Sequence, residues 1–589
     1  MEEIELDCLD YDAVVLGTGV CESMLAGALA RAGKKVLVLE GNDYYGSSAS
    51  TLPLDAFLAL LRASEPYSGP STATDGDTST VTLNDATTPR AHGVYDGEIA
   101  YVLEPSEPTE GAEDNGSVLE KRRVRQFSAD LHPTLFFARS PMVRLLARSG
   151  VSRYLEFRAV TGCEMLATGD AAPRVVPNSK AALFADRRLA LPEKRMLMRF
   201  LQQHAFLAAP ENQETSQIVP RDPGAAVPAP DATTASTTVA TPSDEDDCTL
   251  DEYVRERSGV TSDLVRQLLV YGIALADDGA HTPARAGMDA LALYARSIGA
   301  YGPNTPFLAL LYGTAEVPQA FSRAAAVYGA DCILRQHTTS VESRVATVDA
   351  PSSEKEQEQQ PDQKQYPLTI RCETVKGGVV HAAHVVVPAC RVAAGGAALE
   401  ETCWQRALVV TRTPVLHSAE LACLVVAPGG ACGNEAAVRA MQCDPPCRLT
   451  PRGCYATVFA MRGTRDARPQ LRAVVEHLVR VPSKDDKEDD DDTRPTALLC
   501  TYHTQVCRNV PTTSSSSGTV VTPDVCASTD FGDLPATVER LFRQICGEDA
   551  EFFPPMPDPE DLSWNPPEGA PASDAPASDA PTSEADAKQ

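Results

Sequence analysis

The stretch VVLGTGVCES, residues 14–23, constrains this chain more than any other. A short apolar run leads into Gly17 and Gly19, then helical spacing with small residues continues to Arg31, and a second apolar run, KKVLVLE, follows at 34–40. The pattern predicts a strand, a tight turn, a helix and a parallel strand, the unit that opens a dinucleotide-binding fold. In a working site of that kind the first glycine permits the turn, the second lets the backbone approach a pyrophosphate, and a third lets helix and strand pack closely. Here the third position is Glu22. At about 5 Å and an effective dielectric of 20, a carboxylate there repels each phosphate charge by roughly 3 kcal/mol, which offsets most of what a helix N-terminus offers an anion. Glu40 ends the second run, where an acid would hold a ribose hydroxyl. The residues predict the fold, but the partial glycine pattern is weak evidence of a cofactor, and the turn reads as the relic of a site.

The 589 residues, 43% hydrophobic, suffice for two or more domains. A net charge of -29 argues against nucleic acid and against unaided binding to an anionic membrane, since both would repel the chain. The acidic run KDDKEDDDD at 484–492 reads as a solvated loop. The N-terminal MEEIELDCLD lacks the basic and apolar regions of a signal peptide, and no long uncharged apolar run occurs, so the expected location is the cytosol. Seventeen cysteines, an odd number, suit reduced thiols. Cys443 and Cys447, flanked by Cys432 and Cys454, lack the tight paired spacing of a zinc site, and no metal is expected. The ten histidines are dispersed, no nucleophile elbow or Walker loop occurs, and His204 on an apolar helix reads as packing. The C-terminal ADAKQ is not a prenylation box.

Along the chain, mixed strand and helix patterns at 1–63, 121–190 and 302–546 predict a large α/β domain in three parts. Residues 191–301 read as a small all-helical domain inserted into it, opening on the amphipathic LPEKRMLMRFLQQHAFL, with further helices in TLDEYVRERSG, SDLVRQLLVYGIAL and AGMDALALYARSIGAYG. Segments 64–120 and 208–247, rich in Ser, Thr, Pro and acid, are expected to be disordered insertions, and 547–589 a disordered acidic, Pro-rich tail.

These residues resemble a known family. The opening DYDAVVLGTGVCESMLAGALARAGKKVLVLEGNDYYG, with Glu22 after the glycines and Tyr44-Tyr45-Gly46 beyond, is similar to the start of the GDP dissociation inhibitor and Rab escort protein superfamily. NTPFLALLYGTAEVPQAFSRAAAVYGA resembles the family's second block. SRYLEF, LPEKRMLMRFL and LFRQICGEDAEFFPPMPDPEDL resemble the escort branch. The resemblance implies a large FAD/NAD(P)-binding-like α/β domain without a functional cofactor site, plus a small helical domain. It implies a non-catalytic accessory component that binds newly made GDP-bound Rab GTPases, presents them to the Rab geranylgeranyltransferase heterodimer, holds the geranylgeranyl lipid of the product and meets membranes transiently. A recycling GDP dissociation inhibitor is the alternative within the family, and a flavin-dependent oxidoreductase the alternative outside it.

Carried over onto matching positions, the resemblance implies a Rab-binding platform at Tyr45, Glu316 and Arg323, with Asp331 and Ile333 at its edge. A tyrosine offers rigid contact area, and an acid paired with an arginine rewards the correct loop conformation; without the motif the pair reads as a surface salt bridge. Ala315, Ala320 and Ala330 replace common glycines, which puts the backbone there in question. For the transferase the resemblance implies an aromatic, Tyr294, and an arginine; Ala300 stands where the arginine is usual, leaving Arg296 nearby. From the residues alone, the helical spacing of Tyr294 favours a core residue.

Overall fold

The computed structural model describes residues 4, 6, 8–69, 80–103, 124–203, 248–302, 305–343, 366–373, 375–392, 400–482, 492–509, 518–525 and 530–554. The strand Asp10–Leu16 lies inside an eight-stranded sheet, paired in parallel with Val36–Leu39 on one side and Val379–Pro388 on the other. Asp331–Ile333 adds a parallel strand beyond Val36–Leu39, and Thr519–Thr522 pairs in parallel with Val379–Pro388. Leu368–Cys372, Thr338–Ser343 and Thr80–Thr82 complete the sheet in antiparallel pairing. The central strands are continuous apolar runs because both of their faces are covered.

Six helices frame the site and its surroundings: α1 (Val20–Arg31), α2 (Pro141–Ser149), α3 (Leu191–Gln203), α4 (Ala284–Ser297), α5 (Glu316–Val327) and α6 (Leu534–Cys546). Helix α1 is buried from Val20 to Ala30. Its Cys21, Ser23, Ala26, Gly27 and Ala28 are small enough to let it lie between the sheet and α5, with α2 and α6 joining the same core. Ser140 caps α2 by accepting from the amide of Val143, ahead of a proline in the first turn.

A second eight-stranded sheet runs in the order Arg174–Val175, Gly162–Leu166, Ala422–Val426, Val438–Cys443, Tyr455–Arg462, Glu400–Thr411, Ala497–Asn509, Val94–Val102. It is antiparallel except where Gly162–Leu166 meets Ala422–Val426. Helices α3 and α4 and the short helices Leu250–Glu252 and Asp263–Gln267 share a core with Met165, Cys423 and Met441 of this sheet. Each short helix continues into a π-helical turn, Tyr253–Arg257 and Leu268–Ile273, where the residue pattern suggested an unbroken α-helix. Thr249 and Glu252 form a reciprocal capping box at the start of the first.

Two expectations of disorder are corrected. Within 64–120, Val94–Val102 forms the outer strand of the second sheet and Thr80–Thr82 an edge of the first. Most of the Val94–Val102 strand is only half-buried, so its polar composition suits an edge strand. Within 547–589, Phe552 and Phe553 are 4% and 2% exposed and belong to the core under α1 and α5. Segment 208–247 and the tail from 555 onward lie outside the described residues.

Candidate functional site

The glycine turn adopts the expected backbone. Gly17 has φ +92, open to glycine without strain, and its amide donates to the carbonyl of Leu39 at 2.8 Å. The place a phosphate would need is taken. Glu22 is 4% exposed, and a β-carbon on Gly19 would collide with its Oε2. The Thr522 hydroxyl donates to Glu22 Oε1 from 500 residues along the chain. Burial pushes the Glu22 carboxyl up to about 7; hydrogen bonds from Thr522 and its own amide oppose this, while the carboxylates of Asp524 and Glu40 reinforce it. Glu40 is equally committed. Its Oε2 accepts from the amide and hydroxyl of Thr18 at 2.9 and 2.7 Å, and its Oε1 from the amide and side-chain nitrogen of Asn42 at 3.0 and 2.8 Å. Those four bonds use the acceptor capacity a ribose would need. The residues do not fit a dinucleotide: one acid fills the phosphate seat and the other closes the turn.

Helix α5 packs on α1 and carries the sequence-predicted platform. Glu316 begins it, half-buried, with its carboxyl raised by burial and by the nearby Glu156. Arg323 is exposed, and its guanidinium stands 4.5 Å over the ring of Tyr154. Seven residues of helix separate the two by about 10 Å, so the expected Glu316–Arg323 pair is corrected: the arginine stacks on an aromatic and the acid faces another acid. The chain leaves α5 into the edge strand Asp331–Ile333, whose Asp331 pairs with Leu37. There Asp331 is exposed and accepts from the Tyr11 hydroxyl at 2.9 Å, while Ile333 is half-buried. Tyr45 sits beside this strand, its hydroxyl pKa raised by burial first and then by Cys332 and Glu40. Helix, edge strand and tyrosine thus form one region. The substituted alanines do not disturb it: Ala315 has φ -59, and Ala320 and Ala330 are buried and lie outside the left-handed conformations, which fall on Tyr312, Gly313 and Gly329.

The other predicted surface is not assembled. Tyr294 is 2% exposed, with its ring 5.7 Å from Phe307 in the core beneath α4, so it presents no aromatic to a partner. Its spacing on α4 turns the ring inward, and the exposed aromatic of the segment is Tyr301, 62% accessible. Arg296 is exposed in the last turn of α4. Sequence reasoning also missed Tyr154, on the short turn Val151–Tyr154, and the exposed Tyr312 and Tyr328, because nothing local marks a surface aromatic as a neighbour of a distant helix. Among the described residues no group of three or more His, Cys, Asp or Glu side chains could hold a metal ion.

A family model described as GDP dissociation inhibitor matches residues 6–78, 110–217 and 249–358, blocks that contain the glycine turn, Tyr45 and the whole of α5. The Rab proteins geranylgeranyltransferase component A of Drosophila melanogaster is 31% identical over 54% of this chain, which spans 52% of that relative's length. Component A 1 of Rattus norvegicus is 23% identical over 94% of this chain and 93% of its own. Among solved structures, the Rab GDI from Plasmodium falciparum superposes with a TM-score of 0.59 at 17% identity, covering 93% of this chain and all of that one, a likeness of fold. With the matched blocks falling on the closed turn and the helix above it, the chain carries a domain of the GDP dissociation inhibitor family.

Proposed function

We propose that this chain is an escort factor for Rab GTPases. It binds the newly made, GDP-bound form, presents it to Rab geranylgeranyltransferase as a non-catalytic accessory component, and delivers the lipidated product from the cytosol to membranes. The observation that carries the reading is the exposed face of α5, where Arg323 is held on Tyr154. An arginine preorganised on an aromatic, with a half-buried acid two turns away, suits recognition of a partner's loop conformation. The filled glycine turn supports binding over redox chemistry. Purified protein free of flavin absorbance is the expected result, and a yellow protein that releases flavin on denaturation would contradict it.

An apolar cleft between α3 and α4, lined by Leu197, Met198, Leu201, Leu291 and Ile298, supports the lipid part of the proposal. It holds only about 50 Å³, so a geranylgeranyl chain requires the helices to part. The same face of α5 would serve a recycling inhibitor, which extracts lipidated Rab without supporting lipidation. Reconstituted prenylation of an unmodified Rab, with transferase and with or without this protein, separates the two: escort requires that product appear only with it.

A further inference from the structure

The outer face of α3 and the π-helical turn Tyr253–Arg257 enclose a cleft of about 750 Å³ that the escort reading leaves unused. Arg195 and Arg199, one helical turn apart on α3, and Arg257 line it over a floor that includes Phe200 and Tyr253, with Gly259 at its wall. Among the described residues no carboxylate lines this cleft, on a chain whose net charge is -29. The acids on the neighbouring elements are engaged elsewhere: Glu193 accepts from the Ala190 amide and the Ser262 hydroxyl, Glu252 closes its own cap, Glu256 pairs with Arg255, and Asp251 with Arg266. Arg195 and Arg199 make no hydrogen bond or ion pair with any described residue. Arg195 and Arg199 thus face one concavity without a described counter-charge, beside Arg257, which has an interaction of its own, and a bound anion relieves the repulsion between the two.

We infer that this cleft binds a compact, multiply phosphorylated anion, a phosphorylated polyol ring such as an inositol phosphate. Arginine forks match phosphate oxygens two at a time. The half-buried Tyr253, with the buried Phe200 beneath, lends the floor an aromatic edge for a ring, and the volume is that of a small-molecule site rather than of an extended peptide. At physiological salt charges beyond about 8 Å are largely screened, so the distant acids of the chain act weakly on an anion held by the arginines. The same chemistry occurs on a soluble inositol phosphate and on a phosphoinositide headgroup. The inference is independent of Rab binding.

The test uses the full chain with two probes: inositol hexakisphosphate by calorimetric titration, and sedimentation with phosphatidylcholine vesicles with or without phosphatidylinositol bisphosphate. Wild type should bind the soluble probe. The double variant Arg195→Gln/Arg199→Gln should bind it about tenfold or more weakly, because two charge-assisted contacts are lost. Arg255→Gln, on the same turn but outside the cleft lining, should bind as wild type does. Sedimentation only with phosphoinositide vesicles assigns the headgroup as the source; soluble binding without sedimentation assigns the free anion. No binding by wild type with a native melting curve, equal weakening in Arg255→Gln, or capture of polyglutamate in preference to the phosphate overturns the inference. Should the double variant melt early, Arg195→Lys/Arg199→Lys keeps the charge while removing the forked geometry, and an undiminished affinity there also counts against it.

Discussion

The guanidinium of Arg323 lies 4.5 Å from the centre of the Tyr154 ring, joining α5 to a turn 169 positions earlier in the chain. The contact holds a long side chain in one orientation on an exposed surface, so a partner meets it already ordered. An exposed cation–π contact is worth about 0.5–1 kcal/mol. Tyr154→Ala should therefore weaken binding of GDP-bound, unprenylated Rab by only a few-fold. Arg323→Ala removes the contacting group itself and should cost about 2 kcal/mol or more, the level of an arginine hot spot. Both variants should melt as wild type does. Titration of Rab against the three proteins checks this, and unchanged affinity in both variants with intact folding would place the Rab site elsewhere.

Glu22 should make stability depend on pH. Its carboxyl titrates at 4.5 in the unfolded chain and at about 7 when folded, so its contribution is present below pH 4.5 and is lost as pH rises through the folded value. The difference amounts to about 3 kcal/mol. Glu22→Gln keeps the shape without the charge and should be the more stable protein near pH 8, by up to that amount, with the advantage fading near pH 5. Urea unfolding of both proteins across that range measures it; an advantage constant with pH would mean another group titrates.

Gly19→Ala should be destabilising although its backbone is ordinary, φ -60 and ψ 172, because the new methyl meets Oε2 of Glu22. Overpacking of this kind costs about 1–3 kcal/mol. In a double-mutant cycle, Gly19→Ala combined with Glu22→Ala should cost less than the two separate losses added together. Strict additivity would show that the carboxylate does not occupy the turn.

The chain end matters up to a definable point. Phe553 packs on Phe321 of α5 and on Phe552, with ring centroids 5.7 and 4.9 Å apart. Arg148 of α2 donates to the carbonyl of Phe552 at 2.9 Å, and Arg31 of α1 donates to that of Pro554. These bonds clip three helices together beneath the platform. Phe553→Ala should lose about 3–5 kcal/mol of stability, and a chain ending at 550 at least as much. A chain ending near 561 should fold and bind Rab as the full chain does. Loss of binding in that longer form, with native melting, would assign the acidic tail a contact of its own.

Local pattern carried the opening of this fold because its signals are short-range. The apolar runs at 13–16 and 36–39, the positive-φ Gly17 and the small residues of α1 each specify their conformation within a few positions, and Glu22 declared the closed phosphate seat by charge alone. The strand Val94–Val102 escaped notice because its pairing energy comes from Ala497–Asn509, some 400 positions away, and its own residues are half-exposed. Phe552 and Phe553 sat in a Pro-rich acidic stretch whose composition gives no hint of the pocket between α1 and α5 that receives them. Glu316 and Arg323 were expected to pair with each other, but the helix Glu316–Val327 keeps them two turns apart, and only the folded chain brings Tyr154 to Arg323 and Glu156 to Glu316. Burial of Tyr294 was likewise decided by packing, since a ring at helical spacing faces inward or outward according to which side of α4 meets Phe307.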